Sequence, residues 1–113
     1  MTPFTANVIA VIQAIPEGKV MTYGGVAKAA GSPRAARQVV RILHSMSRKY
    51  KLPWHRVINA KGRIALDDES GSVQRLYLSG EGVEFEPDGA INLELYLYVP
   101  EADPEDYFLP PLE

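Results

Sequence analysis

Apolar residues recur at helical spacing through the first fifty residues, and proline and glycine cut that run into three pieces. Phe4, Val8, Val11, Ile12 and Ile15 predict an amphipathic helix over residues 4 to 15, which Pro16-Glu17-Gly18-Lys19 closes with turn chemistry. Thr22 offers an N-cap for a short second helix through Val26, Ala27 and Ala30, with Gly31 as its stop. Ser32 followed by Pro33 pairs a cap residue with proline at a first helical position, and predicts a third helix from about residue 33 to 47. That helix has an apolar stripe (Ala36, Val39, Val40, Leu43, Met46) and a cationic or titratable one (Arg34, Arg37, Arg41, His44, Arg48). Two helices joined by a tight turn, the second with a basic outer face, read as a helix-turn-helix presented to nucleic acid.

Further along, Pro53 biases Leu52 towards an extended backbone and sets Trp54, the chain's one tryptophan, on a stiff turn. Val57-Ile58 and Ile64 flank Asn59-Ala60-Lys61-Gly62 as a short strand or hairpin. Ser72 is expected to cap a short helix through Val73, Leu76 and Tyr77. Ile91, Leu93, Leu95, Leu97 and Val99 alternate with polar or tyrosine positions, which predicts a strand with one buried face. Residues 101 to 113, acidic and rich in proline, read as an extended tail. The expected class is mainly α with small β elements, a winged helix-turn-helix-like DNA-binding domain with a C-terminal strand extension. Residues 1 to 86 would form the binding domain, with the strand and tail of 87 to 113 packed on it.

The 113 residues contain no cysteine, so disulfides, thiolate metal sites and thiol catalysis are all excluded. His44 and His55 have no acidic ligand near them and make a poor metal site, and no cofactor is expected. No apolar run approaches the roughly 20 residues of a membrane span, and the N-terminus lacks a signal pattern. The expectation is a soluble, cytoplasmic monomer with no membrane association, nucleoid-associated if the source is bacterial. The net charge of −2 conceals a strong segregation. Eleven basic residues and no acidic one lie between Lys19 and Leu66, whereas thirteen acidic residues and only Arg75 lie beyond. A basic half of that kind repels itself and calls for a polyanion.

Four motifs add to this reading. Thr22-Tyr23-Gly24, Ala35-Ala36-Arg37, Pro53-Trp54-His55-Arg56-Val57 and Glu81-Gly82 resemble, in order and spacing, the C-terminal domain of the O6-alkylguanine-DNA alkyltransferases. The resemblance covers residues 4 to 86. In those enzymes the residue between proline and histidine is the alkyl-accepting cysteine; here it is Trp54, as in the alkyltransferase-like proteins. An indole offers an apolar plane and one N–H donor, and has no lone pair suited to attack a methyl carbon. The resemblance therefore implies binding without alkyl transfer, with His55 and Glu81 as a structural remnant of the transferase site.

The resemblance further implies minor-groove docking of the second helix of the motif on double-stranded DNA containing O6-alkylguanine. Arg37 would be the finger replacing an extruded base. Trp54, Tyr23, Arg56 and Val57 would line the lesion pocket, with Tyr23 also crowding the adjacent phosphate. Thr22, Arg34, Gln38, Arg41, Arg48, Lys49 and Lys51 would contact the DNA backbone, and nucleotide excision repair proteins would act on the flagged lesion. Two departures stand out. Met46 occupies a position where transferases commonly carry an asparagine that braces the active-site loop. Asp67 and Asp68 lie where the family supplies tyrosine and serine contacts to the base. The competing readings are a winged-helix regulator of undamaged sequence and a residual hydrolase using His55 and Glu81.

Overall fold

The computed structural model describes residues 1–100, so the expected tail at 101 to 113 lies outside the described residues. Helix α1 (Pro3–Gln13) starts on Thr2, whose hydroxyl accepts from the Thr5 N–H at 3.1 Å, with Pro3 in the first turn. It ends two residues earlier than its apolar spacing predicts, and Ile15 is carried into the core by the following turn. Strand β1 (Met21–Thr22) leads directly into α2 (Tyr23–Ala29), which Thr22 caps by accepting from the Gly25 N–H at 2.9 Å.

The start of α3 corrects the sequence reading. It spans Ala36–Tyr50, not residues 33 to 47, and has no side-chain cap. Ser32 is used by the preceding helix: its N–H bonds to Ala27 O at 2.9 Å, and that of Gly31 to Lys28 O at 3.0 Å. Gly31, at φ +103°, supplies the left-handed residue this stop requires. Ser32 to Ala35 then closes one more turn before α3 begins. The apolar face is also rotated slightly from the predicted one. Ile42 is buried with Val39, while Val40 is 45% exposed among the basic residues.

Beyond α3, the segment Trp54–Arg56 forms a 3₁₀ turn and runs into β2 (Val57–Ile58). The expected turn at Asn59–Gly62 forms, but β2 pairs in parallel with β1, Met21 opposite Val57 and Thr22 opposite Ile58. Helix α4 (Glu69–Gly80) begins a turn before the predicted Ser72, because Asp68 caps it by accepting from the Ser70 N–H at 2.9 Å. That start requires glycine at 71. A Cβ there would lie 2.1 Å from Leu66 O, so Gly71→Ala is expected to cost about 1–3 kcal/mol in a urea melt.

The predicted strand over residues 91 to 99 does not form. Asn92 caps a single helical turn, α5 (Leu93–Tyr96), flanked by isolated bridges, Phe85 with Ile91 and Val20 with Leu97. Among the described residues no long strand lies alongside to use the alternation, and Leu95 and Val99 are exposed.

Two apolar clusters flank the β pair. The larger joins α1, α2 and α3 through Val8, Ile12, Val26 and Val39; the smaller holds Val20, Ile58, Leu78, Val83 and Ile91. Among the described residues no helix is long and apolar enough to cross a membrane.

Candidate nucleic-acid interface

Arg37, Arg41, His44 and Arg48 are exposed along the outer side of α3, with Gln38 and Lys49 beside them. Arg34 precedes the helix and Lys51 follows it; both are exposed. None of these arginines and lysines forms an ion pair among the described residues, and the first turn of α3 contains no acidic side chain. The helix thus presents its positive end and a cationic stripe to the same solvent. Lys51 ends α3 in a left-handed conformation at φ +51°. Thr22 is committed to capping α2, and Tyr23, the first residue of that helix, packs against the larger core, where burial pushes its hydroxyl pKa up.

Trp54 sits partly buried on the 3₁₀ turn, as the proline ahead of it predicts. Its N–H bonds to Leu52 O at 2.8 Å, and the Arg56 N–H to Pro53 O at 3.0 Å. Behind this turn lies a charged hub. His55 Nε2 donates to Glu81 Oε2 at 2.6 Å, and Gly18 N–H to Glu81 Oε1 at 2.9 Å. Arg56 donates through Nη2 to Oε2 at 2.7 Å and through Nε to both carboxylate oxygens. Its Nη1 reaches Ile15 O at 2.9 Å.

Partial burial alone would raise the Glu81 pKa. The Arg56 guanidinium, the Gly18 amide and His55 outweigh that effect and hold it at about 2. A carboxylate so saturated with donors is a poor proton acceptor. It ties the turn after α1, the Trp54 turn and the end of α4 together.

Two residues expected as pocket walls are placed behind the turn instead. Val57 is 1% exposed, its side chain in the core, and the Arg56 guanidinium is engaged by Glu81 and Ile15. Trp54 and Tyr23 are partly exposed. Asp68 is a helix cap, and Asp67 lines an open cleft with Arg63 and Arg75. Arg75 is two positions from Tyr77 on α4, so that cleft lies on the opposite flank from the Trp54 turn.

Sequence reasoning missed two residues of α4. Gln74, 1% exposed, donates through Nε2 to His55 O at 3.1 Å and to Val57 O at 2.9 Å, bracing the backbone on both sides of Arg56. This is a brace for the turn that comes from α4, whereas Met46 on α3 packs partly buried against the larger core. Tyr77 packs its ring against Trp54 and His55. Apolar spacing hides them, because Val73, Leu76 and Tyr77 are exposed and the buried face carries Gly71, Gln74 and Leu78. Gln74 is the polar residue on that face, and a buried amide demands partners.

Residues 3–83 match the family described as the 6-O-methylguanine DNA methyltransferase DNA-binding domain. The chain is 48% identical over 93 residues to the DNA base-flipping protein of Escherichia coli, covering 82% of this chain and 72% of that one. It is 38% identical over 106 residues to alkyltransferase-like protein 1 of Schizosaccharomyces pombe, covering 88% and 98%. The crystal structure of that yeast protein in complex with damaged DNA containing O6-carboxymethylguanine superposes with a TM-score of 0.76, at 38% identity and with coverage of 88% of this chain and 98% of that chain.

Proposed function

The chain belongs to the family of the alkyltransferase DNA-binding domain, and on that premise we propose that it is a non-enzymatic sensor of O6-alkylguanine in duplex DNA. It docks α3 in the minor groove, rotates the modified nucleotide out of the stack and holds it against Trp54. The observation that carries this reading is Trp54 itself, a partly exposed indole on a braced turn where the transferases present a thiolate, in a chain with no cysteine. Relatives named for base flipping and solved with damaged DNA support it.

Flipping costs a few kcal/mol, less at a weakened pair, and stacking on an aromatic ring returns about 1–3 kcal/mol per base. Arg34, Gln38, Arg41, Arg48, Lys49 and Lys51 grip phosphates, setting affinity and salt dependence without choosing the base. Arg37 fills the vacated stack, and Tyr23 crowds the neighbouring phosphate. The bound complex shields the lesion and flags it for nucleotide excision repair.

Two duplexes differing by one O6-methylguanine test the reading. Trp54 is the one tryptophan, so its quenching reports binding directly. The modified duplex is expected to bind at least tenfold more tightly, and mass spectrometry is expected to find its alkyl group intact. Equal affinities would favour a reader of undamaged sequence; a dealkylated oligonucleotide would restore an enzyme built on His55 and Glu81.

A further inference from the structure

We propose that Tyr77 is a positioning residue for lesion recognition, setting the angle of the Trp54 indole from α4; the inference rests on the lesion-sensor reading. Three rings meet at this point, and each pair is in edge or tilted contact. The Tyr77 and Trp54 centroids are 6.2 Å apart at 60°, those of Tyr77 and His55 5.3 Å apart at 78°, and those of Trp54 and His55 6.3 Å apart at 88°. These are the separations and inclinations at which aromatic rings attract beyond simple burial.

The anchoring of the three rings is unequal. His55 is fixed through Nε2 to Glu81, and its carbonyl is held by Gln74. Among the described residues the Trp54 side chain has no such polar tether: its indole N–H has no hydrogen-bond partner, so ring packing must set its orientation. Tyr77 is suited to that role. It stands on a helix whose buried face carries Gly71, Gln74 and Leu78, four residues before the cap residue Glu81, which is locked to Arg56.

Tyr77 is also 49% exposed, and among the described residues its hydroxyl has no partner. Ordinary core packing does not explain a large aromatic left half in solvent against two other rings. The arrangement has a cost that a binding face justifies: it keeps the indole plane open while preventing it from rotating. Gln74 and Tyr77, one turn apart on α4, would then divide the work, the amide fixing the backbone under Trp54 and the phenol fixing its side chain.

The test uses the full chain, the paired duplexes and four variants, Tyr77→Ala, Tyr77→Leu, Tyr77→Phe and Leu76→Ala. Leu76 is 68% exposed on the same helix and serves as the control. Removing the ring in Tyr77→Ala is expected to lower the modified-to-unmodified affinity ratio roughly three- to tenfold. It should also lower the Trp54 fluorescence anisotropy of the free protein, while affinity for the unmodified duplex stays within about twofold. Tyr77→Phe restores both readouts, Tyr77→Leu restores neither, and Leu76→Ala changes neither. A wild-type ratio and anisotropy in Tyr77→Ala or in Tyr77→Leu would overturn the proposal, as would equal losses on both duplexes. Should the unsubstituted protein show no preference between the duplexes, the sensor reading fails by itself. The anisotropy series then still decides whether Tyr77 holds Trp54.

Discussion

Glu81→Gln is expected to lower the stability of the domain by roughly 3 kcal/mol, because it removes one partner of a largely buried ion pair and strands the other. The Arg56 and Glu81 side chains are only 16% and 10% exposed, so water does little to replace the lost charge. The amide also disrupts the hub in a second way. Its NH₂ faces donors on at least one side, where Gly18, His55 and Arg56 all point N–H groups at the carboxylate. The pH dependence is the sharper check. Held at about 2, below the ordinary 4.5, the Glu81 carboxyl contributes stability that is fully present above about pH 4.5 and lost as the pH falls towards 2. Urea unfolding at pH 7 and pH 3 should show the unsubstituted protein losing more stability between the two than Glu81→Gln loses. Asp88, whose pKa is lowered by the Ala90 amide and Arg63, is present in both proteins and cancels in the comparison. Identical pH dependence in the two proteins would remove Glu81 from this role.

The hub shows which parts of the molecule could be read from the sequence. Helices α1 and α2 follow from local signals, since Thr2, Thr22 and Gly31 each act within three or four residues of their own position. The start of α3 was less legible because Ser32 serves two competing ends, and closing α2 claims it first. Strand pairing is a non-local property. The alternation after residue 90 specifies a face but no neighbour, so Asn92 wins locally by capping a helical turn. Likewise, Val57-Ile58 was legible as extended chain, but nothing in the sequence names Met21-Thr22 as its partner.

The candidate site divides in the same way. The exposed arginines of α3 are visible because their period is helical and their charge unbalanced. The pairing of His55 with Glu81, twenty-six residues apart, came from resemblance to a family pattern, and the 2.6 Å contact agrees with it. The resemblance makes Arg56 a pocket wall, yet on a 3₁₀ turn adjacent side chains diverge and its guanidinium points inward. Gln74 and Tyr77 had no motif to announce them. Their importance arises from α4 packing against the Trp54 turn, which is a tertiary fact.

Arg37→Ala is expected to weaken binding to the O6-methylguanine duplex by roughly 30-fold or more, about 2 kcal/mol, because in the proposed role its side chain offsets the unstacking that flipping requires. Arg37 is exposed in the first turn of α3, and no carboxylate among the described residues competes for its guanidinium. Lys49 is the proper comparison. It lies on the same helix twelve residues later, about 18 Å along the axis, near the opposite end from the finger. A phosphate contact there is sequence-blind. Lys49→Ala should weaken both duplexes by the same modest factor and reduce the slope of log K against log salt by about 1. Arg37→Ala should instead erode the difference between the duplexes, since a base left in the stack needs no finger. Titrations of both variants on both duplexes at several salt concentrations separate the two kinds of loss. Equal, salt-dependent losses from the two substitutions would make Arg37 one more phosphate contact and leave base extrusion to Tyr23 and Trp54.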